Sequence, residues 1–309
     1  MLAIIAGQAV ECRKLALMGV LEVRDLRKQF GDLAALGGVS FSVRAGEVFG
    51  YLGPNGAGKT TTLRIILGLV RQSAGTASIL GKSASDPASR AAIGFLPGDL
   101  RLYGDMTAEA TLDYFAAFRP HRAPSLRPML VDALAVEAAT LARRVKFLSH
   151  GTRQKIGLIV AMQHDPELLL LDEPTNGLDP LVQHAFRGIV KGFAERGRAV
   201  LFSSHVLSEV EAVCSRVAIL RRGEIVALET IERLREKVVR KLTVRFRGAA
   251  PEGLNTIAGV TRTEARGRHQ VLWVQGDINP LLRALAEAGV EDVVFPEAEL
   301  EDIFLAYYA

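Results

Sequence analysis

Hydrophobic and polar residues alternate with a period of two in residues 20–24 and again in residues 39–43, and Gly46 then provides a turn. This alternation predicts strands with one buried face, which we place at an antiparallel edge of a domain. Residues 48–52 form a short apolar run, and apolar side chains recur at helical spacing through residues 60–70. A buried strand, a glycine-rich loop and an amphipathic helix are therefore predicted in this order.

The middle of the chain adds a helical insert to this layered α/β pattern. Residues 103–165 are alanine-rich and mainly helical in pattern, and Thr107 is placed to cap the first helix. Apolar runs return at residues 168–171 and 199–203, and a helical stretch over residues 181–195 separates them. A strand, a helix and a second strand in this order predict a parallel crossover unit.

Three segments are predicted along the chain. Residues 1–19 precede the first clear strand and form an N-terminal extension, residues 20–235 form the main α/β domain, and residues 236–309 form a small α+β domain. Within the small domain we predict paired strands, a helix over residues 280–288, a strand over residues 293–295 and a final helix. No catalytic motif is found in that domain.

Composition places the chain among ordinary globular proteins, because 49% of its 309 residues are hydrophobic and 23% are charged. Its 38 Lys and Arg residues against 34 Asp and Glu give a net charge of +4, and no block of basic residues is present. Nucleic acid is therefore not the expected partner. Cys12 and Cys214 stand far apart without a histidine cluster, which indicates neither a disulfide framework nor a zinc site. No run reaches the roughly 18 apolar residues of a membrane-spanning helix.

The glycine-rich loop that follows the apolar run fits the pattern G-x-x-x-x-G-K-S/T. Its members are Gly53, Pro54, Asn55, Gly56, Ala57, Gly58, Lys59 and Thr60. Glycines let such a loop curve so that backbone N–H groups point at phosphate oxygens, and the next helix adds its positive N-terminal end. We expect Lys59 to contact the β- and γ-phosphates, Thr60 to ligate magnesium and Thr61 to join the nucleotide contacts. A chance lysine in a glycine-rich turn is the alternative, and the flanking strand and helix weigh against it.

Two acidic residues, Asp172 and Glu173, stand at the end of the apolar run over residues 168–171. Because the chain turns where a strand ends, both carboxylates can approach one nucleotide. Asp172 suits magnesium, directly or through water, and Glu173 suits the orientation and deprotonation of an attacking water. A solvated acidic cap at a strand end is the alternative, and the phosphate loop weighs against it.

Two further segments narrow the class of protein. The sequence LSHGTRQ at residues 148–154 precedes a predicted helix, and Ser203, Ser204 and His205 follow a predicted strand. With the two motifs above, the chain resembles the ATP-binding cassette ATPases, the nucleotide-binding subunits of ABC transporters, over about residues 20–235. The resemblance implies a P-loop NTPase cassette with a mixed-sheet core, an antiparallel edge sheet and a helical subdomain over about residues 100–165.

The family pattern also implies roles for individual residues. Ser149 and Gly151 form the signature motif, which caps the γ-phosphate held by the opposite subunit. His205 is the switch histidine that touches this phosphate, Asp179 belongs to the dimer-contact loop, and Phe30 stacks on adenine. Structural alternatives stay open for three of these residues: Ser149 as an ordinary helix cap, His205 as a structural histidine and Phe30 as a core side chain.

The chain departs from the family pattern at two places. His150 and Thr152 replace the glycine and glutamine of the commonest signature, where we expect function to be intact. Gly98 follows Pro97 where the family usually has a glutamine that is thought to sense magnesium and the attacking water. Either Asp99 takes over this contact, or the loop is a flexible joint to the membrane partner, which is the alternative we favour.

The resemblance implies an ATP-hydrolysing subunit that binds ATP and Mg²⁺ and works as a head-to-tail homodimer. It would energise a separate integral membrane permease at the cytoplasmic face of the cell membrane. Residues 300–308 look like the tail of subunits from the drug, lipid and polysaccharide export branch, which favours export. A soluble ABC ATPase that acts on ribosomes or DNA is the alternative, and a cassette that binds ATP without turnover is a third. Glu173 and His205 argue against that third reading.

We predict that residues 1–17 are dispensable, because the first strand pattern starts after them and they offer little that could be buried. A chain that starts at Met18 should keep the melting temperature and the ATPase rate of the full chain. Both are measured side by side, and a substantial loss of either would show that the extension is structural.

Overall fold

The computed structural model describes residues 19–119, 125–237, 239–267 and 269–296. The chain divides into two compact units, Met1–Leu228 and Glu229–Ala309, and each is described by itself. The predicted extension and the predicted C-terminal helix lie outside the described residues.

The first unit begins with an antiparallel sheet in the strand order β2-β1-β4-β5. Its strands are β1 (Leu21–Phe30), β2 (Leu33–Val43), β4 (Ala74–Ile79) and β5 (Lys82–Ser83). Leu21 pairs with Val43 on one side and with Ile79 on the other, so β1 lies inside the sheet. The predicted antiparallel edge sheet is confirmed.

The second sheet of this unit has the strand order β10-β9-β3-β8-β7-β6. Its strands are β3 (Val48–Leu52), β6 (Ile93–Leu96), β7 (Leu168–Asp172), β8 (Ala199–Ser204), β9 (Arg216–Arg221) and β10 (Glu224–Thr230). All neighbours from β9 to β6 pair in parallel. Parallel strands end at the same edge of a sheet, so the carboxyl ends of β3, β8 and β7 lie side by side.

Seven α-helices accompany these sheets in the described part of the first unit. They are α1 (Lys59–Ile66), α2 (Ala108–Ala117), α3 (Arg127–Ala133), α4 (Ala138–Leu141), α5 (His150–Met162), α6 (Pro180–Glu195) and α7 (Leu207–Val213). Helices α2 to α5 fall in the stretch where a mainly helical pattern is predicted, and Thr107 caps α2 as expected, accepting from the Ala110 N–H. Helix α6 connects the parallel strands β7 and β8, which is the predicted crossover.

The core of this unit lies where the two sheets meet. The ring of Phe41 on β2 stacks on Phe49 of β3 with centroids 5.4 Å apart, and it lies 5.1 Å from the ring of Tyr51. Side chains of α1, including Leu63 and Ile66, belong to the same buried cluster. Burial of this apolar surface is the main stabilising force, and it fixes the helix that follows the phosphate loop against both sheets.

The second unit is an antiparallel sheet in the order β12-β13-β11-β14 with short helices. Its elements are α8 (Ile231–Lys237), β11 (Arg240–Phe246), β12 (Val260–Arg266), β13 (His269–Val274), α9 (Asn279–Glu287) and β14 (Val290–Val294). Leu242 and Leu272 of the sheet pack with Leu281 and Leu285 of α9 in one core. The helix predicted over residues 280–288 is α9, which begins and ends one residue earlier. The strand predicted over residues 293–295 is β14, which begins at Val290.

Three strands of the first unit, β4, β5 and β6, are not predicted from the sequence. Strand β4 is rich in small residues, and Gly75 has a positive φ of 78°, so its hydrophobic alternation is weak. Strand β6 is only four residues long, and it is held by parallel pairing to β7. No helix in the described part of the chain is long and apolar enough to cross a membrane.

Candidate nucleotide-binding site

The glycine-rich loop joins β3 to α1, as predicted. Gly58 caps α1 with φ of 109° and ψ of 0°, a left-handed conformation that glycine adopts without steric cost. A Cβ atom at Gly58 would lie 2.9 Å from the Ala35 carbonyl oxygen, and one at Gly53 would lie 2.6 Å from that of Leu220. The loop therefore needs glycine at both positions, for its own curvature and for the backbone packed against it.

The Lys59 ammonium group binds backbone carbonyl groups of this loop. Its Nζ atom donates to the carbonyl oxygens of Gly53, at 2.5 Å, and Pro54, at 3.3 Å. The same atom lies 3.5 Å from Oε1 of Glu173, and the Lys59 side chain is only 6% exposed. A buried cation is thus placed between the phosphate loop and the acidic end of β7.

Thr60 and Asp172 face each other across the same edge of the sheet. The Thr60 hydroxyl donates to Oδ2 of Asp172 at 3.0 Å, and the Ser203 hydroxyl donates to Oδ1 at 2.8 Å. Asp172 is 3% exposed and Ser203 is fully buried. Two hydroxyls therefore fix both oxygens of this carboxylate, and one of them belongs to the phosphate loop.

Glu173 and His205 form the second pair at this edge. Oε2 of Glu173 lies 2.7 Å from Nδ1 of His205. The Glu173 backbone has a positive φ of 50°, which is uncommon for a residue with a side chain. Its N–H donates to the Ser203 carbonyl oxygen at 3.0 Å, so β8 holds the turn that follows β7. The two polar residues predicted at neighbouring strand ends are thus brought together.

Tyr51, a buried tyrosine of β3, supports the loop through Thr62. The Thr62 hydroxyl donates to the Gly58 carbonyl oxygen at 3.0 Å, and the Tyr51 hydroxyl lies 3.0 Å from the same Thr62 oxygen. Complete burial raises the pKa of Tyr51, so its hydroxyl stays protonated and can donate to Thr62. Tyr51 and Thr62 carry no motif signal, and sequence reasoning missed them.

A cleft of about 970 Å³ lies over the loop. Phe30, Thr60, Thr61, Glu173 and the loop residues around Lys59 contribute to its walls. Phe30 is 48% exposed, which excludes the alternative of a core side chain. The Lys28 ammonium lies 4.5 Å from the centroid of the Phe30 ring, a cation–π distance that orients the aromatic ring beside the cleft.

The signature residues lie outside this cleft. Ser149 caps α5, and its hydroxyl oxygen accepts from the Thr152 N–H at 3.2 Å. Asp179 caps α6 in the same way, and its Oδ1 accepts from the Val182 N–H at 3.0 Å. Neither Ser149 nor Gly151 lines the cleft around Lys59. The structure thus places Ser149 and Asp179 as helix caps and Gly151 in the first turn of α5, all outside the cleft of their own chain.

Helix α5 packs closely on the loop that follows Glu173. A Cβ atom at Gly151 would lie 2.4 Å from the Gly177 carbonyl oxygen, so only glycine fits there. The Gln154 side chain donates to the Pro174 carbonyl oxygen at 3.0 Å, with both groups buried. The sequence analysis includes Gln154 in the segment LSHGTRQ but assigns it no role, and it places this segment before a helix, whereas His150 to Gln154 lie inside α5.

Gly98 and Asp99 differ in how they lie relative to Asp172. A Cβ atom at Gly98 would lie 3.4 Å from Oδ2 of Asp172, an ordinary contact distance, and its backbone is outside the left-handed region. Asp99 is 78% exposed and forms an ion pair with Arg101 at 2.8 Å. The structure therefore places Gly98 beside Asp172, and it places Asp99 in the wall of the same cleft with its carboxylate paired to Arg101.

Fold and site together define a P-loop nucleotide-binding ATPase, and residues 36–176 match the family model described as ABC transporter. An uncharacterized ABC transporter ATP-binding protein of Synechocystis sp. is 34% identical over 283 residues, which cover 86% of this chain and 76% of that protein. Nod factor export ATP-binding protein I of Burkholderia orbicola is 33% identical and covers 92% of this chain and 95% of that protein. The chain belongs to the ATP-binding subunits of ABC transporters.

A solved structure shares the fold of the first unit. The dimeric structure of MJ0796, a bacterial ABC transporter cassette, has a TM-score of 0.63 and 23% identity, and it covers 68% of this chain and 98% of that chain. The predicted cassette fold, with its mixed sheet, antiparallel sheet and helices, is confirmed.

We predict that Gly151→Ala displaces the loop after Glu173, because the new methyl group would clash with the Gly177 carbonyl oxygen. Overpacking of this kind costs about 1–3 kcal/mol, so the urea midpoint and the ATPase rate should both fall. Gly188→Ala is the matched control, since a Cβ atom at that position on α6 has nothing within 4 Å. Equal behaviour of the two variants would contradict the steric argument.

We predict that Asp99→Ala leaves the magnesium-dependent ATPase rate of the isolated subunit within about twofold, as expected for an exposed ion pair. The rate is measured across a magnesium titration for both proteins. A variant that loses magnesium-dependent hydrolysis would place Asp99 with Thr60 and Asp172 in the metal site.

Proposed function

We propose that this chain hydrolyses ATP with Mg²⁺ as a head-to-tail homodimer and thereby drives export through a separate integral membrane permease at the cytoplasmic face of the membrane. The observation that carries the proposal is the convergence of Lys59, Asp172, Glu173 and His205 at one edge of the parallel sheet. A cation, two carboxylates and an imidazole are the groups that phosphoryl transfer to water uses.

In this proposal the γ-phosphate lies beside the Lys59 ammonium, which stabilises its negative charge. The Glu173 carboxylate orients a water molecule in line with the bond to be broken and accepts its proton. The 2.7 Å hydrogen bond to His205 keeps the Glu173 carboxylate in place, and the strained turn at Glu173 aims it into the cleft. Hydrolysis then needs positioning and charge stabilisation, with no covalent enzyme intermediate.

The donor set at Thr60 and Asp172 fits magnesium. A hydroxyl oxygen and a carboxylate oxygen 3.0 Å apart are hard ligands, and this metal usually takes its other ligands from water and phosphate. No group of three or more His, Cys, Asp and Glu residues that could hold a metal ion occurs in the described residues. When bound there, magnesium would neutralise charge on the β- and γ-phosphates.

The position of the signature residues supports the homodimer. Ser149 and Gly151 do not line the cleft of their own chain, so a second copy would have to supply them. A twofold arrangement that places each signature on the partner's cleft completes two identical sites. MJ0796, with the same fold, is dimeric in its solved structure.

Exposed aromatic residues on the helical insert support a partner with an apolar surface. Tyr103, Phe118 and Phe147 are each at least 57% exposed, and the rings of Tyr114 and Phe118 meet edge to face with centroids 5.0 Å apart. Patches of this kind mark protein–protein contacts, which suits the permease. Resemblance to a Nod factor export subunit favours export. Identification of the membrane protein that co-purifies with the chain tests this part.

We predict that Glu173→Gln keeps ATP binding and lowers turnover by about 10²- to 10⁴-fold, the range expected for loss of a general base. Because hydrolysis is blocked and a negative charge near the γ-phosphate is removed, the ATP-bound dimer should persist in size-exclusion chromatography.

Glu109→Gln is the control for that substitution, since Glu109 is an exposed residue in the first turn of α2. Turnover of the Glu173→Gln protein at the normal rate would count against the role of Glu173. A monomer at saturating ATP would count against the shared sites.

A further inference from the structure

Glu173 and His205 directly follow the ends of β7 and β8, and their 2.7 Å contact requires a fixed spacing between these two strand ends. The parallel pairing of the two strands ends where Asp172 pairs with Ser203. Beyond that point, the loops that carry Glu173 and His205 are outside the strand ladder. One backbone hydrogen bond, from the Glu173 N–H to the Ser203 carbonyl oxygen, continues beyond the paired residues, and side chains supply further contacts between the two loops.

The Glu209 carboxylate, in the first turn of α7, bridges these two loops. Its Oε1 accepts from the Thr175 hydroxyl at 2.5 Å, and its Oε2 accepts from the Ser204 hydroxyl at 2.7 Å. Thr175 follows Glu173 by two positions, and Ser204 directly precedes His205. One side chain thus ties together the backbone on which both functional side chains stand.

Burial of the two hydroxyl donors strengthens the hydrogen bonds of this bridge. Ser204 is fully buried and Thr175 is 6% exposed, so their hydroxyls have little water to bond. Hydrogen bonds from hydroxyls to a carboxylate are about twice as strong as neutral ones, and an unsatisfied buried hydroxyl is costly. The Ser204 hydroxyl oxygen also accepts from the Val206 N–H at 2.9 Å, which extends the bridge to the start of α7.

We propose that Glu209 is a positioning residue for ATP hydrolysis, which holds the Glu173–His205 pair in register by bridging Thr175 and Ser204. This inference rests on the proposed roles of Glu173 and His205. The described hydrogen bonds of the Glu209 carboxylate go to Thr175 and Ser204, and none goes to the phosphate loop or Thr60. Ser204 meets that loop through its backbone, since its carbonyl oxygen accepts from the Gly53 N–H at 3.2 Å, a bond that does not involve the Glu209 side chain. Glu209 therefore acts first on the turnover step. Its effect is therefore expected on kcat, with KM for ATP nearly unchanged.

Glu209→Ala removes the bridge, and kcat should fall roughly 10- to 100-fold, the range for residues that orient a functional side chain. The KM for ATP should stay within about twofold. Glu209→Gln should recover most of the rate, because its amide oxygen can accept from Ser204 while its amide nitrogen donates to the Thr175 oxygen. Glu109→Ala is the control, since it removes an exposed first-turn glutamate that no described contact involves.

A combination with His205→Ala separates positioning from general stabilisation. If Glu209 acts through the Glu173–His205 pair, Glu209→Ala should lower kcat little further in the His205→Ala background. Thr175→Val, which removes one half of the bridge with little change of shape, provides a milder variant should Glu209→Ala fold poorly. It should lower kcat about three- to tenfold, in keeping with one lost hydrogen bond.

Three outcomes would overturn the proposal: an unchanged kcat in Glu209→Ala, a loss fully additive with that of His205→Ala, or a Glu209→Gln protein as slow as Glu209→Ala. A failure of the proposed function would give a different experimental result. In that case Glu173→Gln itself would turn over ATP at the normal rate, whatever the Glu209 variants do.

Discussion

The site depends on one constraint, the parallel pairing of β3, β8 and β7. Their carboxyl ends meet at one edge, which sets the phosphate loop, the Ser203–His205 segment and the Asp172–Glu173 pair side by side. The contacts described above are short bridges across this edge: Thr60 to Asp172, Lys59 to Glu173, and Glu173 to His205. A slip in strand register would break all of them together, since each joins residues from different strand ends.

The parts of the site that follow local rules could be predicted from the sequence. The phosphate loop is contiguous, and its glycines, lysine and flanking apolar runs each carry a local signal. The acidic pair was also singled out, because it follows an apolar run, whereas the role expected for His205 came only from the resemblance to the ABC ATPases. Gln154, Tyr51 and Glu209 could not be found in this way, because their partners lie on other elements of the fold. Strands β4 and β6 were not predicted for a related reason. They are held in place by pairing with a neighbouring strand, and their own hydrophobic alternation is weak or short.

Gly98 stands where the family pattern usually has a glutamine, and the structure shows what surrounds this position. The expected glutamine is missing, yet a side chain at this position would have room, since its Cβ atom would make only an ordinary contact with Asp172. Sterics therefore do not require glycine there, and neither does a positive φ. Asp99 lines the cleft as well, but its exposed carboxylate is paired with Arg101. The proposed magnesium site of this chain therefore rests on Thr60 and Asp172, whose side chains are hydrogen-bonded to each other.

The loop after Glu173 is held from two sides. Helix α5 contacts it through Gln154 and Gly151, while Glu209 of α7 binds Thr175 in the same loop. In the proposed homodimer, the start of α5 faces the ATP of the partner, and Glu173 faces the ATP of its own chain. A shift of α5 on one ATP would then reach Glu173 through the carbonyl groups of Pro174 and Gly177. The approach of Gly151 to the Gly177 carbonyl oxygen is backbone against backbone, and the hydrogen bond of the Gln154 side chain to Pro174 is buried. In the proposed homodimer the loop would therefore follow a shift of α5, and the two sites would sense each other without any direct contact between them.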